Sequence, residues 1–271
     1  MLTPLLTLYF FILGLCFGSF ALATTWRIKH KRDFVRDTSE CEHCHHKLSA
    51  KDLVPLFSWL SLGGKCRYCH KKISRLLPAA EVLGGIIFAL SYVFWPYELS
   101  SALLVTRFVV WLVALVLLLI LFLYDLQWYI LPNKAVYPLW GVATAYFVTF
   151  FVEAPSFVML AKLAAALAIA SGIFYLIFIY GEWAKKQLIG FGDVRLGVAI
   201  ALFVQGPIAA GLVLFAASLI GIAYALPSLL QGKKKLTSTL PFGPLLIMGT
   251  IIVVLWGQTL IDWYVHSILM L

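Results

Sequence analysis

The stretch VVWLVALVLLLILFLYD, residues 109–125, decides how this chain is built: sixteen positions without a charge, and then Asp125. With the residues before it, the run reaches the length needed to cross a bilayer, about 20 largely apolar residues at about 1.5 Å of rise each. Comparable runs recur along the 271 residues, of which 62% are hydrophobic and 12% charged, whereas a soluble domain carries about 25% charged residues. The expected fold is therefore all-α: a polytopic membrane bundle of about eight transmembrane helices. The spans fall near residues 4–25, 78–94, 101–124, 135–151, 157–180, 194–204, 207–230 and 242–264. The sixth is short for a full crossing and begins just after Asp193.

Charge orients these spans. The net charge of +9 sits in the connecting segments rather than on one face, which argues against nucleic acid as a partner. The first loop, residues 26–77, holds twelve Lys and Arg against five acids, and later basic residues cluster at Lys185, Lys186 and Lys233 to Lys235. The intervening loops carry Glu98 and Glu153. Basic loops alternate with non-basic ones, so the basic side is read as cytoplasmic and the N-terminus as outside. The expected location is a membrane whose basic side faces the cytoplasm. Lys233, Lys234 and Lys235 are expected to meet anionic lipid headgroups, and Trp26, Trp95, Trp128 and Trp183 an interfacial belt. Arg107 and Lys162 are expected to snorkel at outer helix ends. Residues 5–20 are apolar and precede a small-residue Ala21-Leu22-Ala23 segment, but positive charge follows this run rather than leading it. It reads as an uncleaved first helix rather than a signal peptide. Three regions are expected: 1–25, a first helix; 26–77, a cytoplasmic loop; and 78–271, a seven-helix membrane domain.

Two acids stand where acids are rare. Asp125 closes the third span, and Asp193 closes Gly190-Phe191-Gly192-Asp193 before the sixth. A carboxylate in apolar membrane sequence points to function. The loop assignment puts both at the cytoplasmic boundary, where two carboxyl groups can divide acid and base roles at a membrane surface. Gly190 and Gly192 would let a substrate strand approach the backbone. Helix capping could account for Asp193 but not for Asp125, which sits at a helix C-terminus where the dipole opposes a negative charge. Glu81 has a simpler reading as an acid in the first turn after Pro78.

The first loop also contains Cys41-x-x-Cys44 and Cys66-x-x-Cys69, separated by 21 residues. Two such knuckles form a tetrahedral thiolate site for zinc. Disulfides do not suit a reducing cytoplasmic face. Four thiolates close the shell, so the metal would be structural. His43, His45, His46 and His70 are read as surrounding or solvated, Gly63-Gly64 as turn residues, and Cys16 as a small buried hydrophobe.

These residues together resemble the bacterial type IV prepilin peptidases, the leader peptidase/N-methyltransferase family, over nearly the whole chain. Gly18-Ser19-Phe20 is similar to its GSF motif, Cys66-Arg67-Tyr68-Cys69 to its second knuckle, and residues 73–81, with Pro78 and Glu81, to the entry of its second helix. Asp125 with Leu131-Pro132 resembles the first catalytic segment, Gly190 to Leu196 the GxGDxKL signature, and Pro241-Phe242-Gly243-Pro244 the PFGP motif. Leu22, Arg195 and Asn133 depart from the family's usual Asn, Lys and acid at those places. The resemblance implies an aspartic endopeptidase with Asp125 and Asp193 catalytic. Gly190, Gly192 and Arg195 would support the substrate and the motif. It implies prepilin or pseudopilin substrates, and S-adenosylmethionine as donor for methylation of the new N-terminus. The residues alone leave two alternatives: an ion-coupled transporter, which would set its acids near mid-bilayer, and a zinc-ribbon membrane adaptor, which would not need them.

Overall fold

The computed structural model describes residues 2–33, 38–186, 188–230 and 241–267. Lys233, Lys234 and Lys235, expected to meet headgroups, lie outside the described residues. The chain is nearly all helical. Among the described residues it has no strand, only isolated bridges at Glu40–Lys47 and Lys65–Lys72. Seven of the described helices are long and apolar enough to cross a membrane, and the chain is a multi-pass membrane protein. The expected sixth span is a helix of 14 residues, which reaches only about 21 Å, short of the ~30 Å hydrocarbon core.

The chain divides into two units, one of residues 1–95 and 115–123, the other of 96–114 and 124–271. In the first, α1 (Leu2–Lys29) packs on α3 (Leu76–Val93). Small residues bring the two backbones together: a β-carbon on Gly14 would overlap the carbonyl of Gly84, and one on Gly18 would lie 2.7 Å from Glu81 Cα. Such crossings are the usual way helices approach where lipid removes any hydrophobic drive between them. Phe17 stacks on Phe88 and Phe10 on Tyr92 alongside, with centroids 5.5 and 4.8 Å apart. Between α1 and α3 runs the polar loop, with a short 3₁₀ turn at Ala50–Asp52 and the five-residue α2 (Phe57–Ser61). Cys16, expected to be buried, is exposed. α1 is apolar on every face, so periodicity could not tell which side packs.

The second unit is built from both ends of α4 (Ala102–Trp128), α5 (Asn133–Glu153), α6 (Phe157–Leu167), α7 (Ile173–Trp183), α8 (Phe191–Val204), α9 (Pro207–Leu230) and α10 (Phe242–Ser267). α6 and α7 form one span, joined by a π-helical turn at Ala168–Gly172. This turn presses on α8: a β-carbon on Gly197 would overlap the Ala170 carbonyl, and Ser171 Oγ donates to the Val194 carbonyl at 2.9 Å. On another side of α8, Trp140 Nε1 donates to the Arg195 carbonyl at 2.9 Å. Trp111, Tyr146 and Phe203 interlock edge to face in the interior, with Phe203 5.6 and 5.5 Å from the other two rings.

Arg107 does not snorkel. It is 1% exposed and donates to Thr149 Oγ1 at 3.1 Å, the Thr149 carbonyl at 3.0 Å and Glu153. Its guanidinium lies 3.5 Å from the Phe150 ring centre. A buried cation is tolerated when hydrogen bonds and a counter-charge replace its water. Lys162 is exposed, as a snorkelling side chain would be.

Candidate functional site

Asp125 lies in the last turn of α4, 5% exposed. The dipole of its own helix opposes a carboxylate there. A second helix compensates: the backbone N–H of Gly243, in the first turn of α10, donates to the Asp125 carboxylate. Helix starts leave N–H groups unpaired and carry partial positive charge, so they receive anions well. The next residue, Pro244, has no N–H to leave unsatisfied.

Asp193 is the third residue of α8 rather than its cap; Gly190 is the N-cap. The Asp193 carboxylate accepts the Gly190 N–H, and its own N–H donates to the Gly190 carbonyl at 3.1 Å. This is the acid's half of a capping box. Each acid thus rests on the start of a helix, and the two carboxyl groups are close enough to feel each other's charge. Leu131, buried, fills the space beside both glycine contacts. A β-carbon on Gly192 would lie 3.0 Å from Leu131 Cβ, and one on Gly243 would lie 3.5 Å from Leu131 Cδ1.

Arg195 projects from α8 over the Phe191 ring, 4.6 Å to its centre, and hydrogen-bonds the Asn133 side-chain oxygen. Two of the three departures from the resembled pattern therefore touch. The Asn133 amide oxygen accepts from the Arg195 guanidinium. Sequence reasoning had treated them as separate changes.

The four loop thiols converge. Cys41, Cys44, Cys66 and Cys69 Sγ all lie within 4.8 Å of one another, with Cys41 and Cys69 at 3.8 Å. A tetrahedron with metal–sulfur bonds of about 2.3 Å has edges of about 3.8 Å. The two knuckles are built alike. Cys41 N–H donates to the His46 carbonyl and His45 N–H to the Cys41 carbonyl; Cys66 with Lys71, and His70 with Cys66, repeat the pattern. His45 and His70 take the same left-handed conformation, φ +55° and +56°, and Gly63 and Gly64 turn at +60° and +70°. All four histidines are exposed, and the converging donor set is the four thiols. Burial pushes Cys41 up, but the backbone N–H groups of His43 and Cys44 and the neighbouring thiols outweigh it and bring it down to about 7. The His46 N–H favours the Cys44 thiolate, but burial and the Cys41 and Cys69 sulfurs drive it up to about 11. One thiol ionises at its neighbour's expense.

Sequence reasoning missed what braces this loop. Asp52 accepts from Arg67 Nε at 2.8 Å, Tyr68 Oη at 3.0 Å and Ser49 Oγ at 2.7 Å. The Arg67 guanidinium first, then Ser49 and Tyr68, hold its carboxyl well below the usual range against the effect of burial. It also missed the place of Glu81. α3 starts at Leu76, so Glu81 lies beyond the first turn; it is 3% exposed and accepts the Leu56 N–H at 2.8 Å. The available signal was a lone acid inside an apolar helix.

Comparison with known proteins identifies the family of the chain. Residues 12–95 match the Bacterial Peptidase A24 N-terminal domain and residues 112–226 match the Type IV leader peptidase family. The chain is 30% identical over 256 residues to the type 4 prepilin-like proteins leader peptide-processing enzyme of Escherichia coli O78:H11, covering 88% of this chain and 89% of that protein. It is 28% identical over 260 residues to the prepilin leader peptidase/N-methyltransferase of Bacillus subtilis, covering 96% and 98%. The protein of that name from Aeromonas hydrophila is 32% identical over 238 residues, covering 84% and 75%. No solved structure matches.

Proposed function

Because the chain belongs to the type IV leader peptidase family, we propose that it is a membrane aspartic endopeptidase that cleaves the leader from prepilin-like proteins and then methylates the new N-terminal amine. The observation that carries the first activity is the pair Asp125 and Asp193, each on a helix start and each within reach of the other's charge. Two carboxyl groups so placed share one proton. The ionised group takes a proton from water while the protonated one polarises the scissile carbonyl. Gly190 leaves room for an extended substrate backbone, Gly192 lets α8 close on Leu131, and Arg195, held by Asn133 and Phe191, steadies the first turn of α8. The charge pattern of the loops supports a cytoplasmic placement of both acids in a bacterial inner membrane, where a prepilin's basic leader would lie.

Methyl transfer rests on the names of the relatives, with S-adenosylmethionine as the donor class. Cys41, Cys44, Cys66 and Cys69 would hold one zinc ion. With four thiolates the ion has no open position, so it would supply folding energy to the loop rather than chemistry.

Asp125→Asn and Asp193→Asn test the peptidase. Each should abolish cleavage of a co-encoded prepilin while the variant stays inserted and folded. Substantial cleavage by either single variant would remove the acid-pair mechanism.

A further inference from the structure

α2 and the turn that leads into it carry apolar side chains on the outside of an otherwise polar loop. Phe57 and Leu60 are each 68% exposed, and Leu53 and Val54 are each 46% exposed. Helical hydrogen bonds run from the Ser58 N–H to the Val54 carbonyl and from the Leu60 N–H to the Leu56 carbonyl. Val54, Phe57 and Leu60, three residues apart in turn, therefore share one face. Ser58, next to Phe57 in sequence, is turned inward and buried. The segment is inverted relative to a soluble loop, with apolar groups outside and a hydroxyl inside. A contiguous exposed patch of this kind marks a contact surface.

The fold fixes the depth of this face. The Leu56 N–H donates to the Glu81 carboxylate at 2.8 Å. It does so from φ +59°, ψ −49°, a conformation that a side-chain-bearing residue adopts only when its surroundings impose it. α3 has 18 residues, a length of about 27 Å against a hydrocarbon core of ~30 Å. A span that short has no length to stand clear of the bilayer. Glu81 comes after Leu76, the first residue of α3, by about 7.5 Å of helix rise. Its bond to Leu56 therefore holds the start of α2 level with the second turn of α3, at the boundary between headgroups and acyl chains. A soluble partner does not reach that level.

We propose that Leu53, Val54, Phe57 and Leu60 form an in-plane docking surface for anionic phospholipid of the protein's own membrane, with these side chains among the acyl chains and the cations of the loop on the headgroups. The inference rests on the chain spanning a membrane and on neither enzymatic activity. Charge selects the occupant. Lys51 stands just before the patch and Arg75 just before α3, and both are exposed. The loop as a whole carries twelve Lys and Arg against five acids. Such an excess attracts anionic headgroups and repels the basic leader of a prepilin. Apolar side chains on one face with cations flanking them are the usual make-up of a segment that lies in the membrane interface. The loop is then held at three places: the end of α1, the start of α3 and this face.

The test places a photo-crosslinking side chain at one position at a time in the full-length protein: Phe57→p-benzoylphenylalanine, Leu60→p-benzoylphenylalanine and, as the reference, Ile12→p-benzoylphenylalanine on the exposed side of α1. Each variant is reconstituted in liposomes of phosphatidylethanolamine with about a quarter of phosphatidylglycerol, with and without prepilin, and irradiated. Mass spectrometry identifies what is joined to each site. Positions 57 and 60 should give phospholipid adducts at a yield within about threefold of position 12, because all three meet acyl chains. At 57 and 60 phosphatidylglycerol should be enriched at least about twofold over its share of the bilayer, whereas at 12 it should follow that share. Both test positions are exposed, so the probe displaces no packed neighbour, and either one decides the matter if the other variant fails to fold. Adducts mainly to prepilin or to a second copy of the chain, no lipid adduct, or phosphatidylglycerol at only its bulk share would each overturn the proposal.

Discussion

Gly243 lies so close to Asp125 that a β-carbon on it would stand 2.6 Å from the aspartate Oδ2. The same residue donates its N–H to that carboxylate. Position 243 therefore has to be glycine for the acid to rest on the start of α10. Gly243→Ala should push the carboxylate away and lower prepilin cleavage by about 100-fold or more, the range for losing a positioned acid or base. Gly141→Ala is the control. Nothing lies within 4 Å of a β-carbon there, so cleavage should stay at the wild-type rate, and alanine in a helix interior should leave the melting temperature equal or higher. A gel-shift cleavage assay on both variants reads the outcome.

The Arg107–Glu153 pair predicts an asymmetry. Arg107 is 1% exposed, whereas the Glu153 side chain is 48% exposed. Glu153→Gln leaves a buried cation short of its counter-charge and should destabilise by about 3 kcal/mol. Arg107→Met removes the buried charge, keeps most of the volume and leaves Glu153 to solvent, so it should cost about 1 kcal/mol or less. Thermal unfolding in one detergent orders the two; the reverse order would mean that the pair does not bury its cation.

The thiolate loop should depend on its metal. Treatment with a zinc chelator should release one ion per chain and raise the rate of tryptic cutting within residues 38–75 by about tenfold or more, because a closed site supplies folding energy to the segment that binds it. Cys44→Ser should have the same effect without chelator. Metal analysis by mass spectrometry alongside limited proteolysis checks both.

Asp52 should set an acid limit on the same loop. Its folded carboxyl lies below the usual value, chiefly through Arg67. A depressed carboxyl stabilises the fold fully above its unfolded value, near 4, and loses that contribution as pH falls through the lower folded value. Asp52→Asn should therefore melt lower than the wild type at pH 7 and at pH 5, and the gap should narrow as pH drops below about 4. A gap unchanged between pH 7 and pH 3 would mean that Asp52 acts through shape rather than charge.

The acids and thiols stand out in the sequence because they are scarce residue types in unlikely surroundings. Their partners do not. The Gly243 amide that receives Asp125 is an ordinary backbone group on a distant helix. Thr149 and Glu153, which hold Arg107, come 42 and 46 residues after it, so an arginine near a helix end read as one reaching for water. Pro78 suggests a helix start that makes Glu81 a first-turn acid, but the helix begins at Leu76. Leu22, Arg195 and Asn133 were visible as departures, but only the fold brings Arg195 and Asn133 together. The long helices follow from hydrophobic runs. The packed face of an all-apolar helix such as α1 does not, because every face reads the same.

The π turn at Ala168–Gly172 makes the α6–α7 span a length-sensitive part. A π turn holds one residue more than an α turn, and one residue in a helix is worth about 100° of rotation. The surplus residue therefore rephases everything after it: the stripe that α7 presents is not the continuation of the stripe on α6. Deleting any single residue from Ala168 to Gly172 would relax the turn to plain α-helix, swing α7 about its axis and carry Ser171 away from Val194 at the first turn of α8, where Asp193 sits. Point substitutions that keep side chains small would pass almost unnoticed there. This segment should thus tolerate changes of letter and reject changes of count, a constraint that a residue-by-residue scan would overlook and an indel scan would expose.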